Sequence, residues 1–389
     1  MNIILLTDYY SPIIKSGSII IEDLAIELSN QGNTVTIITF SDNQATKFQD
    51  IVENNIRILR IKVTGRKFGR LGRLWSEYRY SSLIIKNLLK LDELSYDYIV
   101  CYSPSIFYGK AIRWLKNNTE ARAYLIIRDI FPEWAVDAGL LKRGVLYRYF
   151  KSIEKELYNA VDYIGIEAMS DFHYFKKYGC FKKIEILDNW SSPIGPIKND
   201  LTSSTLDLNK VNIIYGGNVG DAQDLLSLIK RFDNSILDGV AILTIIGEGT
   251  QVKSIKKALL DLNIRNIVII PPVSRSDYLS IISKADIGLV SLSKNLSSHN
   301  YPLKMIGYMQ HSLPLLASVN ENNEIINLIK KKNIGLVSEA GDIEAFNKNL
   351  LNIINDKNLR LSQGNNSLDL YNHRFNVKIA AKKISKHVN

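Results

Sequence analysis

Two cysteines in 389 residues, Cys101 and Cys180, are too few for a disulfide framework and do not have the spacing of a metal-ligand pair. The five histidines (His173, His299, His311, His373, His387) show no metal-ligand spacing either, so no metal site is expected. No Asp-x-Asp pair is present to bridge a cation and a diphosphate, which argues against metal-dependent transfer. The sequence also lacks a G-x-S-x-G elbow, a P-loop and a G-x-G-x-x-G fingerprint, the last of which leaves a dinucleotide site poorly supported. No apolar run reaches membrane-spanning length, and the opening MNIILLTDYY has no basic segment before it, so export is not expected. Zinc modules, helix-turn-helix signatures and aromatic RNA-binding motifs are absent as well, and no nucleic-acid partner is expected.

What remains is an ordinary soluble composition, 46% hydrophobic and 23% charged, on a chain long enough for two α/β domains. The net charge of +10 points to an anionic partner, such as phosphate ligands or a membrane surface.

Apolar runs at residues 2–7, 34–40, 56–63, 98–102, 122–127, 162–167 and 183–187 read as strands, with a helical period over 19–30. The turn at Asp188–Trp190 and the proline-rich SSPIGPIKND break this alternation and mark a domain boundary. It resumes with strands at 212–215, 241–246, 267–270, 287–292 and 335–337. Two of these lead directly into glycine loops, GGNVGDAQ and GEGT, and a third into PPV, all at one sheet edge. The stretch from Ala285 to Ser318 holds a buried strand, a polar loop and a helix opened by Pro302, with Lys304 in its first turn. Amides and the helix dipole favour an anion there, and a lysine is unfavourable unless one is nearby. Together these loops make a cradle suited to a nucleoside diphosphate; a solvated lysine on an ordinary crossover is the plainer alternative.

Two more features are candidates. Residues 62–90 carry eight basic residues against the single acid Glu77, interleaved with Phe68, Leu71, Leu74 and Trp75. That pattern suits an anionic membrane surface, with Arg66, Lys67, Arg70 and Arg73 as its contacts, or else a solvated helix. Asp129 and Glu133 lie at the carboxyl end of a strand, the edge where ligands of open α/β sheets bind, or serve there only as capping acids.

The sequence resembles glycosyltransferase family 4 over nearly its whole length. The resemblance is carried by the Gly17 loop, Leu187–Trp190, Gly247-Glu248-Gly249 and Tyr301–Met309. RDIFPEWAVDAGLLKRG and YGGNVGDAQ resemble the L-fucosamine transferases of bacterial O-antigen and capsule assembly. The resemblance implies an α/β GT-B fold, two Rossmann-like doubly wound domains facing each other across a cleft. Residues 1–190 would bind acceptor, 191–372 would bind the nucleotide sugar, and 373–389 would return toward the first domain. It implies donor binding by Gly17, Gly217, Asn218, Gln223, Gly247, Glu248, Val273, His299, Asn300, Tyr301, Pro302 and Lys304. Catalytic roles would fall to Lys304, Asp129 and Glu133. No cofactor is implied beyond a UDP-sugar donor. The acceptor would be a polyprenyl-diphosphate-linked saccharide, and the enzyme would be cytoplasmic, peripheral on the inner face of the membrane.

The chain departs from most of that family. His299 and Gly307 stand at the positions of its two glutamates, Asn218 and Gln223 at those of an arginine and a lysine, and Tyr102-Ser103 at that of a histidine. Lys304 is then the remaining cation for the diphosphate. A nucleotide-sugar 2-epimerase and a non-catalytic binding partner are the alternatives.

Overall fold

The computed structural model describes residues 1–13, 16–91, 94–137, 139–169, 171–177, 183–193, 206–296, 301–321 and 323–387. The chain divides into two compact units, Met1–Ser192 with Val377–Asn389, and Pro193–Asn376.

Unit 1 is built on an eight-stranded sheet. Its strands are β1 (Asn2–Leu6), β2 (Thr34–Ser41), β3 (Phe48–Glu53), β4 (Ile56–Lys62), β5 (Tyr98–Tyr102), β6 (Arg122–Ile126), β7 (Tyr163–Ile166) and β8 (Lys183–Ile186). The order is β3-β4-β2-β1-β5-β6-β7-β8. Every pairing is parallel except β3 with β4. Ile3 to Leu6 are all buried, because helices cover both faces of a parallel sheet. The hairpin strand β3 is not among the strands read from sequence. It is polar and half exposed, and its turn is the pair Asn54-Asn55 at φ 50° and 61°, the left-handed pair that suits a two-residue hairpin.

Unit 2 has six parallel strands: β9 (Val211–Gly216), β10 (Ala241–Ile246), β11 (Ile267–Ile270), β12 (Ile287–Ser291), β13 (Leu315–Val319) and β14 (Gly335–Glu339). Their order is β11-β10-β9-β12-β13-β14. This is the 3-2-1-4-5-6 order of Rossmann folds, and unit 1 has the same order with β3 added at one edge and β8 at the other. The helix Leu303–Gln310 follows β12, with Pro302 as its N-cap rather than its first helical residue.

The chain ends in the helix Val377–Ser385, which belongs to unit 1. Val377 N–H donates to the Ser191 carbonyl at 3.0 Å, and the Tyr98 hydroxyl donates to the Ile384 carbonyl at 2.9 Å.

Candidate active site

In unit 2 the strand order reverses between β9 and β12, and ligands of such sheets bind beyond the carboxyl ends at that point. β9 runs into Gly217–Gly220 and β10 into Gly247–Gly249. The two loops lie backbone to backbone, with Val219 N–H donating to the Glu248 carbonyl at 2.8 Å and Gly217 N–H to the Ile246 carbonyl at 2.9 Å. A Cβ on Gly247 would sit 1.9 Å from the Gly217 oxygen, so this approach requires glycine.

Tyr308 seats the helix Leu303–Gln310 on this edge. Its hydroxyl accepts Gly216 N–H at 2.9 Å, and its ring lies where any Cβ on Gly288 of β12 would strike it at 2.3 Å. Lys304, one turn earlier, lies on the same helix face. Its ammonium therefore rests 3.6 Å from the centre of the Tyr215 ring, beside Gly217. Among the described residues it has no ion pair; burial alone pushes its pKa down to about 7. The Tyr215 ring offsets part of that cost, and the helix N-terminus adds to it. A cation held this way is suited to a bound anion.

The other donor candidates fall differently. The Asn218 amide donates to Gln223 Oε1 at 2.8 Å, and the same oxygen accepts Gly220 N–H at 3.2 Å. The two side chains thus brace their own turn. Glu248 and Val273 are exposed at the sheet edge. The Tyr301 side chain is turned into the protein. It is buried, donates to Glu324 at 3.4 Å, accepts from Arg374 at 3.5 Å and packs on Phe375, so it belongs to the core of unit 2. His299 and Asn300 lie outside the described residues.

In unit 1 the reversal falls between β1 and β5, where Thr7-Asp8 and Tyr102-Ser103 emerge. Asp8 is 1% exposed. Its Oδ1 accepts the Tyr108 hydroxyl at 2.6 Å, while Oδ2 has no hydrogen-bond partner among the described residues. Burial, then the charge of Glu77, raises its pKa to about 7 against the pull of Tyr108, Arg66 and Arg73. Gly17 lies at this edge too, where a Cβ would come 3.1 Å from the Tyr102 ring.

The two acidic candidates separate. Asp129 projects at the surface, yet the surrounding protein pushes its carboxyl up, with Arg128 and Arg73 drawing it down. Glu133 is committed to the fold: it accepts the Tyr147 hydroxyl at 2.6 Å and pairs with Arg143 at 3.2 Å and Lys151 at 3.6 Å.

Two of the four expected membrane contacts are also engaged elsewhere. Arg66 donates to Tyr80, to the Asp8 carbonyl at 3.0 Å and to the Phe40 carbonyl at 3.3 Å. Arg73 pairs with Glu77 at 2.6 Å. Lys67 is exposed, and the Arg70 side chain lies outside the described residues. Asp8, Tyr215 and Tyr308 were missed in the sequence. Their signals were a carboxylate just past an apolar strand, and an aromatic four residues after a first-turn lysine.

Residues 197–369, inside unit 2, match the family model described as glycosyl transferases group 1. A Pseudomonas aeruginosa protein named "Probable glycosyltransferase WbjE" is 24% identical over 242 residues, 60% of this chain and 57% of that protein. The chain thus spans little more than half the length of the curated relatives it matches. Sucrose-phosphate synthase from Thermosynechococcus elongatus superposes with a TM-score of 0.73 at 14% identity, over 99% of this chain and 98% of that one. Anabaena HepE, solved in complex with UDP and glucose, gives 0.67 at 13% identity, over 100% and 99%. The expected fold class is borne out: the chain is an α/β protein of the GT-B class, with two Rossmann-like doubly wound domains.

Proposed function

We propose that this chain is a retaining, metal-independent glycosyltransferase. It moves a sugar from a UDP-sugar to a polyprenyl-diphosphate-linked saccharide in O-antigen or capsule assembly, at the inner face of the cytoplasmic membrane. The observation that carries this reading is Lys304, a half-buried cation without an ion pair among the described residues, set at a helix N-terminus beside two glycine loops. The family match over residues 197–369 and the UDP held by HepE support a nucleotide-sugar donor. N-acetyl-L-fucosamine, or a related acetamido sugar, rests on the RDIFPEWAVDAGLLKRG and YGGNVGDAQ segments.

In this mechanism the bond between the anomeric carbon and the diphosphate oxygen breaks as negative charge grows on the leaving group. Lys304 and the first-turn amides of its helix stabilise that charge. The acceptor hydroxyl attacks from the leaving-group face, its oxygen bonds to the anomeric carbon, and the departing phosphate takes its proton. UDP is released and the configuration is kept. Asp129 positions a sugar or acceptor hydroxyl.

The test is UDP affinity by calorimetry together with initial rates on a lipid-linked acceptor. Lys304→Ala should weaken UDP binding and lower turnover by roughly 10²–10³ with the fold intact, because leaving-group charge is larger in the transition state. NMR of the product should show the donor's anomeric configuration, and activity should persist in EDTA. Near wild-type rates for Lys304→Ala, an inverted product, or release of an epimerised sugar without acceptor would each overturn the proposal.

A further inference from the structure

The helix Gly69–Tyr78 is attached to unit 1 the wrong way round for a protein in water. Apart from Leu74, which packs on the core, its inner face is small and polar: a Cβ on Gly72 would lie 2.1 Å from the Gly65 oxygen, the Ser76 hydroxyl donates to the Thr64 carbonyl at 2.7 Å, and Glu77 is buried against Arg73. The outer face is apolar. Phe68 is 81% exposed, Leu71 82%, Trp75 60% and Tyr78 50%, at the 3-4-3 spacing of one helix stripe.

A second stretch continues this surface. Val145, Leu146 and Tyr149, in the first turns of the helix Val145–Ala160, are 86%, 53% and 45% exposed. Tyr149 interacts with Tyr78, which joins the two stretches. Lys67 and Arg79 flank the first, and Lys142 and Arg148 the second, all exposed. No acid occurs from 138 to 152.

We propose that unit 1 docks on an anionic lipid bilayer through this two-part apolar ridge, which inserts while the flanking cations meet the headgroups. The proposal deepens the membrane part of the function proposed above and moves its contact away from Arg66 and Arg73. Lipid fits better than a protein partner. Protein interfaces are depleted of lysine, whereas lysine and arginine around exposed aromatic and aliphatic side chains match the boundary between headgroups and acyl chains. Trp75, Tyr78 and Tyr149 each have an apolar body and a polar tip, as that boundary favours.

The experiment is co-sedimentation of the full chain with vesicles of phosphatidylglycerol and phosphatidylcholine, compared with phosphatidylcholine alone. The wild type should bind the anionic vesicles. Leu71→Asp with Trp75→Asp, and separately Val145→Asp with Leu146→Asp, should each reduce binding by roughly tenfold or more. Their thermal midpoints should stay unchanged, because these side chains face solvent. Brominated lipid should quench wild-type tryptophan emission and lose most of that effect in Trp75→Phe. Wild type left in the supernatant, variants that bind normally, or quenching that survives Trp75→Phe would overturn the proposal. So would a wild-type dimer in lipid-free sedimentation velocity that the Leu71→Asp/Trp75→Asp variant dissociates, since the ridge would then join two copies. UDP calorimetry on the same variants separates the two readings. Vesicle binding without UDP affinity sinks the donor site alone, and UDP affinity without vesicle binding sinks the docking alone.

Discussion

Lys304 shows how one residue can be tuned by where its helix is seated. In the folded protein it loses its proton near pH 7 instead of 10.5, because burial disfavours the charge. A diphosphate favours the charged form, so binding should raise that pKa again. At pH 8 the terminal phosphate of UDP is already ionised, and complex formation should take up about one proton. Calorimetry at pH 8 in two buffers of different ionisation enthalpy should therefore give different apparent enthalpies. Lys304→Arg should abolish the difference, because a guanidinium stays charged. Affinity should be greatest between about pH 6, where the terminal phosphate ionises, and pH 7, and should fall above it; buffer-independent wild-type heats would refute this account. Stability follows the same linkage. Between pH 7 and about 10 the unfolded chain holds the lysine proton that the folded one has released, so stability rises with pH there. Lys304→Met should flatten that rise in urea midpoints. Lys304 was legible in the sequence because a first-turn lysine after a proline is a local pattern. Asp8 was not, because the Tyr108 hydroxyl that meets it comes from 100 residues away. Nor were the partners of Glu133, since Arg143 reaches it from just before the helix Val145–Ala160 and Tyr147 and Lys151 from within it.

Among elements, the parallel strands were legible because burial on both faces makes them continuous apolar runs. The exposed β3 has no such signal. The basic and apolar residues of the helix Gly69–Tyr78 are legible as a surface pattern, but not which of them face inward; the seat formed by Gly65, Gly72 and Ser76 decides that. The glycines at the candidate site make an opposed pair. A methyl on Gly247 must displace the Gly217 carbonyl, whereas among the described residues nothing lies within 4 Å of a Cβ on Gly307 in the helix Leu303–Gln310. Gly247→Ala should cost about 1–3 kcal/mol by overpacking and weaken UDP binding. Gly307→Ala should stabilise by roughly 0.5–1 kcal/mol, since a mid-helix glycine loses more backbone entropy than alanine. Chemical denaturation measures both, and shifts of the same sign would show that the glycine loops do not pack as described.

At the scale of the whole molecule, the chain completes its second unit before it finishes its first. It leaves unit 1 at Ser192, builds Pro193–Asn376, and returns at Val377. The returning helix is a structural part of unit 1. Val377, Ala380, Ala381 and Ile384 are buried; Lys383 donates to the Ile186 carbonyl at 3.1 Å; and His387 stacks on Tyr163 at 4.0 Å and contacts Glu185 at 2.9 Å. Burying a valine or isoleucine is worth about 1.5–3 kcal/mol each. Losing this helix should therefore cost several kcal/mol, against the roughly 5–15 kcal/mol of a typical domain. A chain ending at Asn376 should have a destabilised unit 1 and an unaffected unit 2. Hydrogen exchange read by mass spectrometry should show protection lost across β1, β5 and β6, where Tyr98 and its neighbours pack, and kept across β9, β10 and β12. UDP affinity should survive the truncation, because Lys304, Tyr215 and both glycine loops lie in unit 2. Unchanged protection in β5 would mean that the helix only rests on unit 1. Protection kept in β9 and β12 with UDP affinity lost would mean that the diphosphate needs more than the cradle around Lys304.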